Sequence, residues 1–78
     1  MKDFLDYLVK EIVDQPDKVV IADTTDQNGF SVLEISVDPT DMGKVIGKGG
    51  KIIKALRDLV RVLAVKQNRR VNVVLREG

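Results

Sequence analysis

The segment GKVIGKGGKIIKALR, residues 43–57, restricts the possible folds of this chain more than any other. Its glycines at positions 47, 49 and 50 lie between the apolar pairs Val45–Ile46 and Ile52–Ile53. A glycine inside a helix is destabilising by roughly 0.5–1 kcal/mol relative to alanine, so one helix through the whole segment is disfavoured. The segment therefore predicts two helices that are separated by a glycine turn and flanked by lysines.

Regular patterns on either side of the turn predict the remaining elements. Apolar residues recur at helical spacing near the N-terminus and again after the glycines, and Pro16 ends the first of these runs. Two β-branched runs are joined by a turn that contains Asn28-Gly29, which is typical of a hairpin. The predicted order is a helix over 2–14, strands over 18–23 and 30–37, a short helix from Asp38 to about Ile46, a helix over 51–66 and a strand over 71–75.

Individual residues at the start of the short helix and in the first helix have predicted roles. Asp38 is a typical capping residue and Pro39 suits a first helical turn, while Asp41 favours the positive end of the helix dipole. In the first helix, Phe4 fits the apolar stripe and is expected in the core.

The connection between the second and third strands determines the predicted topology. Two helices lie between these strands, and a crossover of that length permits parallel pairing. We therefore expect an α+β fold with a three-stranded mixed sheet and three helices packed on one face. A chain of 78 residues is expected to form one domain over residues 1–78.

The composition excludes several classes of site. The chain has no cysteine and no histidine, which excludes a disulfide scaffold, a thiolate metal site and a histidine-based catalytic triad. We expect neither a metal nor a cofactor, and not an enzyme. No apolar run approaches the ~20 residues that span a membrane, and acids interrupt the N-terminal apolar pattern. A cytoplasmic protein without membrane contact is the expectation.

The spacing of the glycine turn differs from that of two common phosphate-binding motifs. A P-loop needs four residues between its glycines and then Lys and Ser or Thr, but only three residues separate Gly43 from Gly47, and Gly49 occupies the hydroxyl position. A dinucleotide fingerprint needs a third glycine where this chain has Ile52. That fingerprint also follows a strand, whereas the turn of this chain follows a predicted helix. Neither nucleotide hydrolysis nor dinucleotide binding is predicted.

Charge is distributed unevenly along the chain. Residues 1–41 contain ten acidic and three basic residues, whereas residues 42–78 contain two acidic and ten basic residues, within a net charge of +1. Such a division indicates an anionic partner for the basic half. Lys51, Lys54, Arg57 and Arg61 recur on one side of the long predicted helix, and Lys44 and Lys48 extend this stripe across the turn.

The pattern Val45-Ile46-Gly47-x-x-Gly50-x-x-Ile53 resembles the signature of the KH (K-homology) RNA-binding domain. The predicted element order resembles the type II arrangement of that domain, and the whole chain resembles the KhpA family of small bacterial RNA-binding proteins. The resemblance implies single-stranded RNA as ligand and a role as an RNA chaperone or post-transcriptional regulator. It also implies a homodimer or a heterodimer with a KhpB-type KH protein.

The KH loop clamps the backbone of about four nucleotides, which assigns roles to residues of the turn. Gly47 and Gly50 allow close approach, Lys48 and Gly49 form the variable pair of the loop, and Gly43 leaves room for a base. Among Val45, Ile46 and Ile53, some side chains are expected to form an apolar surface for the bases and others to lie in the core. Ile46 is expected to lie partly in the core and to make no direct contact with RNA. The predicted RNA-binding residues are Gly43, Lys44, Val45, Gly47, Lys48, Gly49, Gly50, Lys51, Ile53, Lys54, Arg57 and Arg61.

Other residues and functions remain as alternatives. No aromatic residue lies near the turn in the sequence, so base stacking on aromatic rings is not expected. Phe30 is expected to be half exposed, and Arg69, Arg70 and Arg76 are weaker candidates for binding. The alternative functions are a protein-interaction module that dimerises with little RNA binding, and a binder of single-stranded DNA.

Overall fold

A computed structural model describes residues 1–76 of the chain. Two long helices, one short helix and three strands alternate with single turns of 3₁₀ helix. In chain order they are α1 (Lys2–Ile12), a 3₁₀ turn (Pro16–Lys18), β1 (Val20–Thr25), β2 (Ser31–Ser36), a 3₁₀ turn (Pro39–Asp41), α2 (Met42–Ile46), a 3₁₀ turn (Lys48–Gly50), α3 (Lys51–Lys66) and β3 (Val71–Leu75).

The strands form one mixed sheet in the order β1-β2-β3. β1 pairs with β2 in an antiparallel register that places Val20 opposite Ser36. β2 pairs with β3 in parallel, with Leu33 beside Val73. The element order and the mixed sheet confirm the predicted α+β fold and its type II KH arrangement.

The core lies between one face of the sheet and the helices. Side chains alternate between the two faces of a strand, and the odd-numbered strand residues face the helices: Ile21, Leu33, Ile35 and Val73 are buried. The even-numbered residues form an open face, on which Val20 is 58% exposed. The helices contribute the buried residues Leu5, Val9, Val45, Ile53, Leu56 and Val60.

The first half of the chain differs from the predicted boundaries. α1 ends at Ile12 rather than at residue 14, because Val13 has extended backbone angles (φ −90°, ψ 160°). The following 3₁₀ turn begins at Pro16 and uses residue 18, so β1 begins at Val20 and not at residue 18. The second half agrees closely, since α3 and β3 have the predicted bounds.

Phe4 is 38% exposed, so the prediction that it lies in the core is wrong. The buried line of α1 follows Leu5 and Val9, which are both fully buried. Successive helical residues are separated by about 100° around the axis at 3.6 residues per turn. Phe4 therefore lies on the flank of the buried stripe.

Two aspartates at the start of α2 have different roles. Asp38 accepts hydrogen bonds from the N–H (2.9 Å) and hydroxyl (2.6 Å) of Thr40, which confirms its capping role and holds the pKa of its carboxyl below the usual range. Asp41 is buried, and its carboxylate accepts from the backbone N–H groups of Asp14 (3.2 Å) and Gln15 (3.1 Å). Asp41 thus connects the segment after α1 to the start of α2, and its side chain does not cap α2.

We expect the Asp41→Asn variant to have a free energy of unfolding lower by about 1–3 kcal/mol. The amide nitrogen of asparagine is a donor, so one of the two backbone N–H groups would lose its acceptor in a buried place. Thermal unfolding measures this loss, because about 1 kcal/mol corresponds to roughly 4–8 °C in a domain of this size. Asp23→Asn, on the exposed part of β1, is the matched control, and equal melting of both variants would contradict the role of Asp41.

Candidate nucleic-acid interface

The glycine turn has a backbone conformation that favours glycine at three positions. The φ angles of Gly47, Gly49 and Gly50 are 73°, 62° and 77°. This positive-φ region is sterically costly for most residues with a side chain. α2 closes with a hydrogen bond from Gly47 N–H to the Gly43 carbonyl (2.9 Å), and the chain then turns sharply into α3.

Gly47 also makes a close contact that no other residue would permit. A Cβ atom at this position would lie 2.6 Å from Ile52 Cγ1 and 3.0 Å from Ile52 Cβ. The Ile52 side chain therefore packs directly on the bare backbone of Gly47. At Gly49 and Gly50, by contrast, an added Cβ would meet no atom within 4 Å, so the outer surface of the turn is open.

The open surface of the turn offers hydrogen-bond donors. Among residues 1–76, the backbone N–H groups of Lys48 and Gly49 donate to no carbonyl, whereas Gly50 N–H donates to the Gly47 carbonyl at 3.3 Å. Lys48 and Gly49 are both exposed. Gly50 is the N-cap of α3 and provides no side chain to satisfy the first turn of that helix. The turn therefore presents backbone donors and the positive end of a helix to solvent.

The lysines around the turn differ in their ion pairing. In the part of the chain that the structure describes, Lys48 and Lys51 form no salt bridge. Lys44 is bonded to the Asp14 carboxylate and lies 4.0 Å from Asp41, and the hydrogen bond to Asp14 raises the pKa of the Lys44 ammonium. Lys48 and Lys51 thus carry the uncompensated charge at the turn, and Lys44 is directed toward α1.

The basic side of α3 continues away from the turn. Lys54 Nζ and Arg61 Nη1 lie 3.2 Å and 3.8 Å from the carboxylate of Asp58. Arg57 points instead toward the sheet, where its Nε donates to the Val73 carbonyl at 3.1 Å. One carboxylate is shared by two cations, so this side of the helix retains positive charge.

A cleft of about 340 Å³ lies between α3 and β3, lined by Arg57, Arg61 and residues 71–74. β3 is an edge strand of the sheet. Ser31 N–H donates to the Arg70 carbonyl and Arg76 N–H to the Ile35 carbonyl, so the even-numbered residues of β3 bond to β2. The odd-numbered residues direct their N–H and C=O groups toward the cleft. These main-chain groups were not predicted from the sequence, because a short apolar strand shows no sign of its place at a sheet edge.

The apolar residues at the turn are arranged differently from expectation. Val45 is fully buried and Ile53 is 7% exposed, so both belong to the core and leave little surface for a base. Ile46 and Ile52 are 36% and 37% exposed and form the apolar surface at the turn. In each adjacent pair one residue lies in the core and the other is exposed at the surface. Gly43 is exposed, and a Cβ atom there would meet nothing within 4 Å, which is open space beside α2.

Residues 1–76 contain neither a candidate metal site nor a membrane-spanning helix. No group of three or more acidic side chains in this range is arranged to hold a metal ion. No helix in the same range has the length and apolar character required to cross a membrane.

Comparison with known proteins places these features in a family. The sequence profile of the KhpA/KhpB KH domain matches residues 2–75. The RNA-binding protein KhpA of Clostridium acetobutylicum is 47% identical over 73 residues, which are 94% of this chain and 96% of the relative. The RNA-binding protein KhpA of Chlamydia pneumoniae is 40% identical over 77 residues, covering 99% of this chain and 97% of the relative. That of Leifsonia xyli is 47% identical over 70 residues, or 90% and 91% of the two chains.

Two alanine variants test whether the chain requires glycine at position 47 but not at position 43. We expect Gly47→Ala to be destabilised by at least about 1–2 kcal/mol, because of its positive φ and its collision with Ile52. Gly43→Ala, within α2, is expected to be neutral or stabilised by about 0.4–1 kcal/mol, since alanine restricts the unfolded chain. Urea denaturation measures both changes, and similar stability of the two variants would contradict the close packing at Gly47.

Proposed function

The chain belongs to the KhpA/KhpB family of KH domains, and from that premise we propose that it binds single-stranded RNA. The family is non-catalytic. The observation that carries the proposal is the exposed glycine turn, where the free N–H groups of Lys48 and Gly49 lie beside the uncompensated charges of Lys48 and Lys51. Relatives that match almost the whole chain are named RNA-binding proteins, which agrees with this reading.

The turn would hold the sugar-phosphate backbone of the strand. The N–H groups of Lys48 and Gly49 donate to phosphate oxygens, and the first turn of α3 adds its positive dipole end. Gly49 and Gly50 have no side chain that would keep a phosphate at a distance. The turn would bind about four nucleotides of a single strand, which is the length that a KH loop holds.

The bases would enter the cleft between α3 and β3. Arg57 and Arg61 provide positive charge on one wall, and the odd-numbered residues of β3 provide main-chain N–H and C=O groups on the other. Of these groups, the Val73 carbonyl already accepts a hydrogen bond from Arg57. Main-chain groups hydrogen-bond to base edges without the bulk of a side chain. Base preference would therefore depend on how each edge matches a fixed row of N–H and C=O groups.

The exposed apolar stripe on α3 supports a proposal about assembly. Ile52, Leu59 and Val62 are 37%, 47% and 58% exposed, and Ile52 and Leu59 lie on the side of α3 opposite Arg57 and Arg61. We propose that a second copy of the chain, or a KhpB-type KH protein in its place, covers this stripe. Pairing there leaves both clefts open, and two joined clamps increase the effective concentration of a second binding event.

The cellular setting follows from the same premise. We propose that the chain acts as one KH domain over residues 1–78, in the cytoplasm, and binds many transcripts as an RNA chaperone or post-transcriptional regulator. A single clamp makes few phosphate contacts, so its affinity is expected to be modest and to decrease with salt.

Replacement of Lys48 and Gly49 by aspartate tests the clamp. We expect the double variant to bind a single-stranded RNA oligonucleotide at least about tenfold more weakly, since charged hydrogen bonds to phosphate are lost and repulsion is added. Aspartate is among the residues that tolerate the positive φ of position 49, so the melting temperature should be preserved. Fluorescence anisotropy measures the affinity, and circular dichroism checks the fold.

The matched control places asparagine at the same two positions, which removes the added negative charge while retaining similar side chains. Its affinity should lie between those of the wild type and the aspartate variant. Unchanged RNA binding by the aspartate variant would refute the clamp and favour a protein-interaction module. A DNA oligonucleotide of the same sequence forms a parallel arm, and tighter binding of the DNA would favour the alternative ligand.

The salt dependence of binding tests the contribution of Lys51. On single strands, each neutralised phosphate contributes about 0.7 to the slope of log K against log salt concentration. We therefore expect Lys51→Gln to reduce the slope by about 0.7, with a similar loss of affinity for unrelated sequences. Lys2→Gln, on α1, is the control and should leave the slope unchanged, while an affinity loss confined to one RNA sequence would contradict a phosphate contact.

A further inference from the structure

A second cavity lies beyond the cleft, at the C-terminal end of α3. Its volume is about 310 Å³, and its polar and aromatic lining residues are Phe30, Arg61, Arg69, Arg70 and Asn72. Its apolar lining residues are Ala64, Val65 and Val71. We call this cavity the arginine pocket. Its lining combines guanidinium groups, an aromatic ring and apolar side chains, and it contains no carboxylate.

Both walls of the arginine pocket are held by local hydrogen bonds. Asp26 Oδ1 accepts from the N–H groups of Asn28 (2.8 Å) and Phe30 (3.0 Å), which fixes the hairpin end that carries the phenylalanine. On the other side, Arg69 N–H donates to the Ala64 carbonyl at 2.8 Å. The pocket therefore exists before a ligand arrives.

The side chains at the rim form two contacts between these walls. The guanidinium carbon of Arg70 lies 5.3 Å from the centroid of the Phe30 ring, which is a cation–π contact. Arg69 Nη2 donates to the Ser31 hydroxyl at 3.1 Å. A guanidinium plane and an aromatic ring are the two surfaces on which proteins stack unpaired bases.

We propose that the arginine pocket binds one further nucleotide of the strand held at the glycine turn, an inference that rests on the proposed function. The base stacks on the Phe30–Arg70 pair, its edge meets the Asn72 amide, and the phosphate is neutralised by Arg61 and Arg69. A small inorganic anion would bind the guanidinium groups but would not contact the Phe30 ring or the apolar lining residues. The lining therefore fits a nucleotide better than a free phosphate.

The position of the pocket agrees with a strand that continues past the clamp. Arg61 lies ten residues after Lys51 on α3, which corresponds to about 15 Å at 1.5 Å per residue. A stacked strand advances about 3.4 Å per nucleotide, so this distance is about four nucleotides. The pocket shares Arg61, Val71 and Asn72 with the cleft, so the path between them is continuous.

A titration of ¹⁵N-labelled protein with short RNAs tests the proposal by NMR. The probes are tetrauridylate and the same tetranucleotide extended by one adenosine at its 5′ or 3′ end. Signals of Gly49 and Lys51 should shift with all probes, whereas those of Phe30, Arg69 and Arg70, which line the pocket but not the cleft, should shift only with one extended probe. That probe should bind about tenfold more tightly than tetrauridylate, the effect of one stacked base.

Variants of the rim identify the source of this gain. Phe30→Leu and Arg70→Gln should lose the gain from the added adenosine while retaining the tetrauridylate affinity. Phe4→Leu on α1 and Arg76→Gln after β3 repeat the same chemical changes elsewhere and should retain the gain. Melting curves confirm that each variant is folded, and the two rim variants alter opposite walls, so one remains informative if the other does not fold.

Three results would overturn the proposal. They are equal affinity of the wild type for all probes, a gain that persists in both rim variants, and inorganic phosphate alone reproducing the shifts at Phe30 and Arg70. Failure of the proposed function gives a different pattern, because the variant with aspartate at positions 48 and 49 would then bind tetrauridylate as the wild type does. The clamp and the arginine pocket are thus tested separately.

Discussion

The packing of Ile52 on the bare backbone of Gly47 is the contact on which the functional surface depends. An added Cβ atom would lie 2.6 Å from the Ile52 side chain, so α3 can begin this close to the end of α2 only because glycine is present. The positive φ angles at positions 49 and 50 then direct the intervening backbone outward. The exposed N–H groups of the turn and the close approach of α3 to α2 follow from this arrangement. The buried Asp41 carboxylate also stabilises the start of α2, because it accepts hydrogen bonds from the segment after α1.

The acidic and basic halves of the chain remain partly separate after folding. Lys44 is the main point of contact, since it binds Asp14 and lies near Asp41. The other cations near the turn and the cleft have few acids nearby, because residues 42–76 contain only one, Asp58. An anionic strand would therefore meet a positive surface on one side of the molecule.

Sequence reasoning predicted the parts that depend on local patterns. The bounds of α3 and β3 agree with the structure, because helical spacing is unbroken over 51–66 and polar residues then separate it from a β-branched run. The buried role of Asp41 could not be predicted, since its partners lie 27 and 26 residues away. It was also not possible to predict which residue of each apolar pair at the turn is buried. A rotation of the helix by one residue decides whether a side chain lies in the core or in solvent. The approach of Phe30 to Arg70 likewise depends on the register of β2 and β3.

Parallel pairing of β2 with β3 has a consequence for the order of folding. Ser31 pairs with Val71, so the chain must close a loop of about 40 residues before this ladder forms. Contacts between α2 and α3 are local and carry a smaller entropic cost, so we expect the helical hairpin to form early and β3 to dock late. During synthesis on the ribosome, the glycine turn would then form before the cleft between α3 and β3. On the proposed function, a nascent chain at that stage would hold the backbone of a strand without discriminating among its bases.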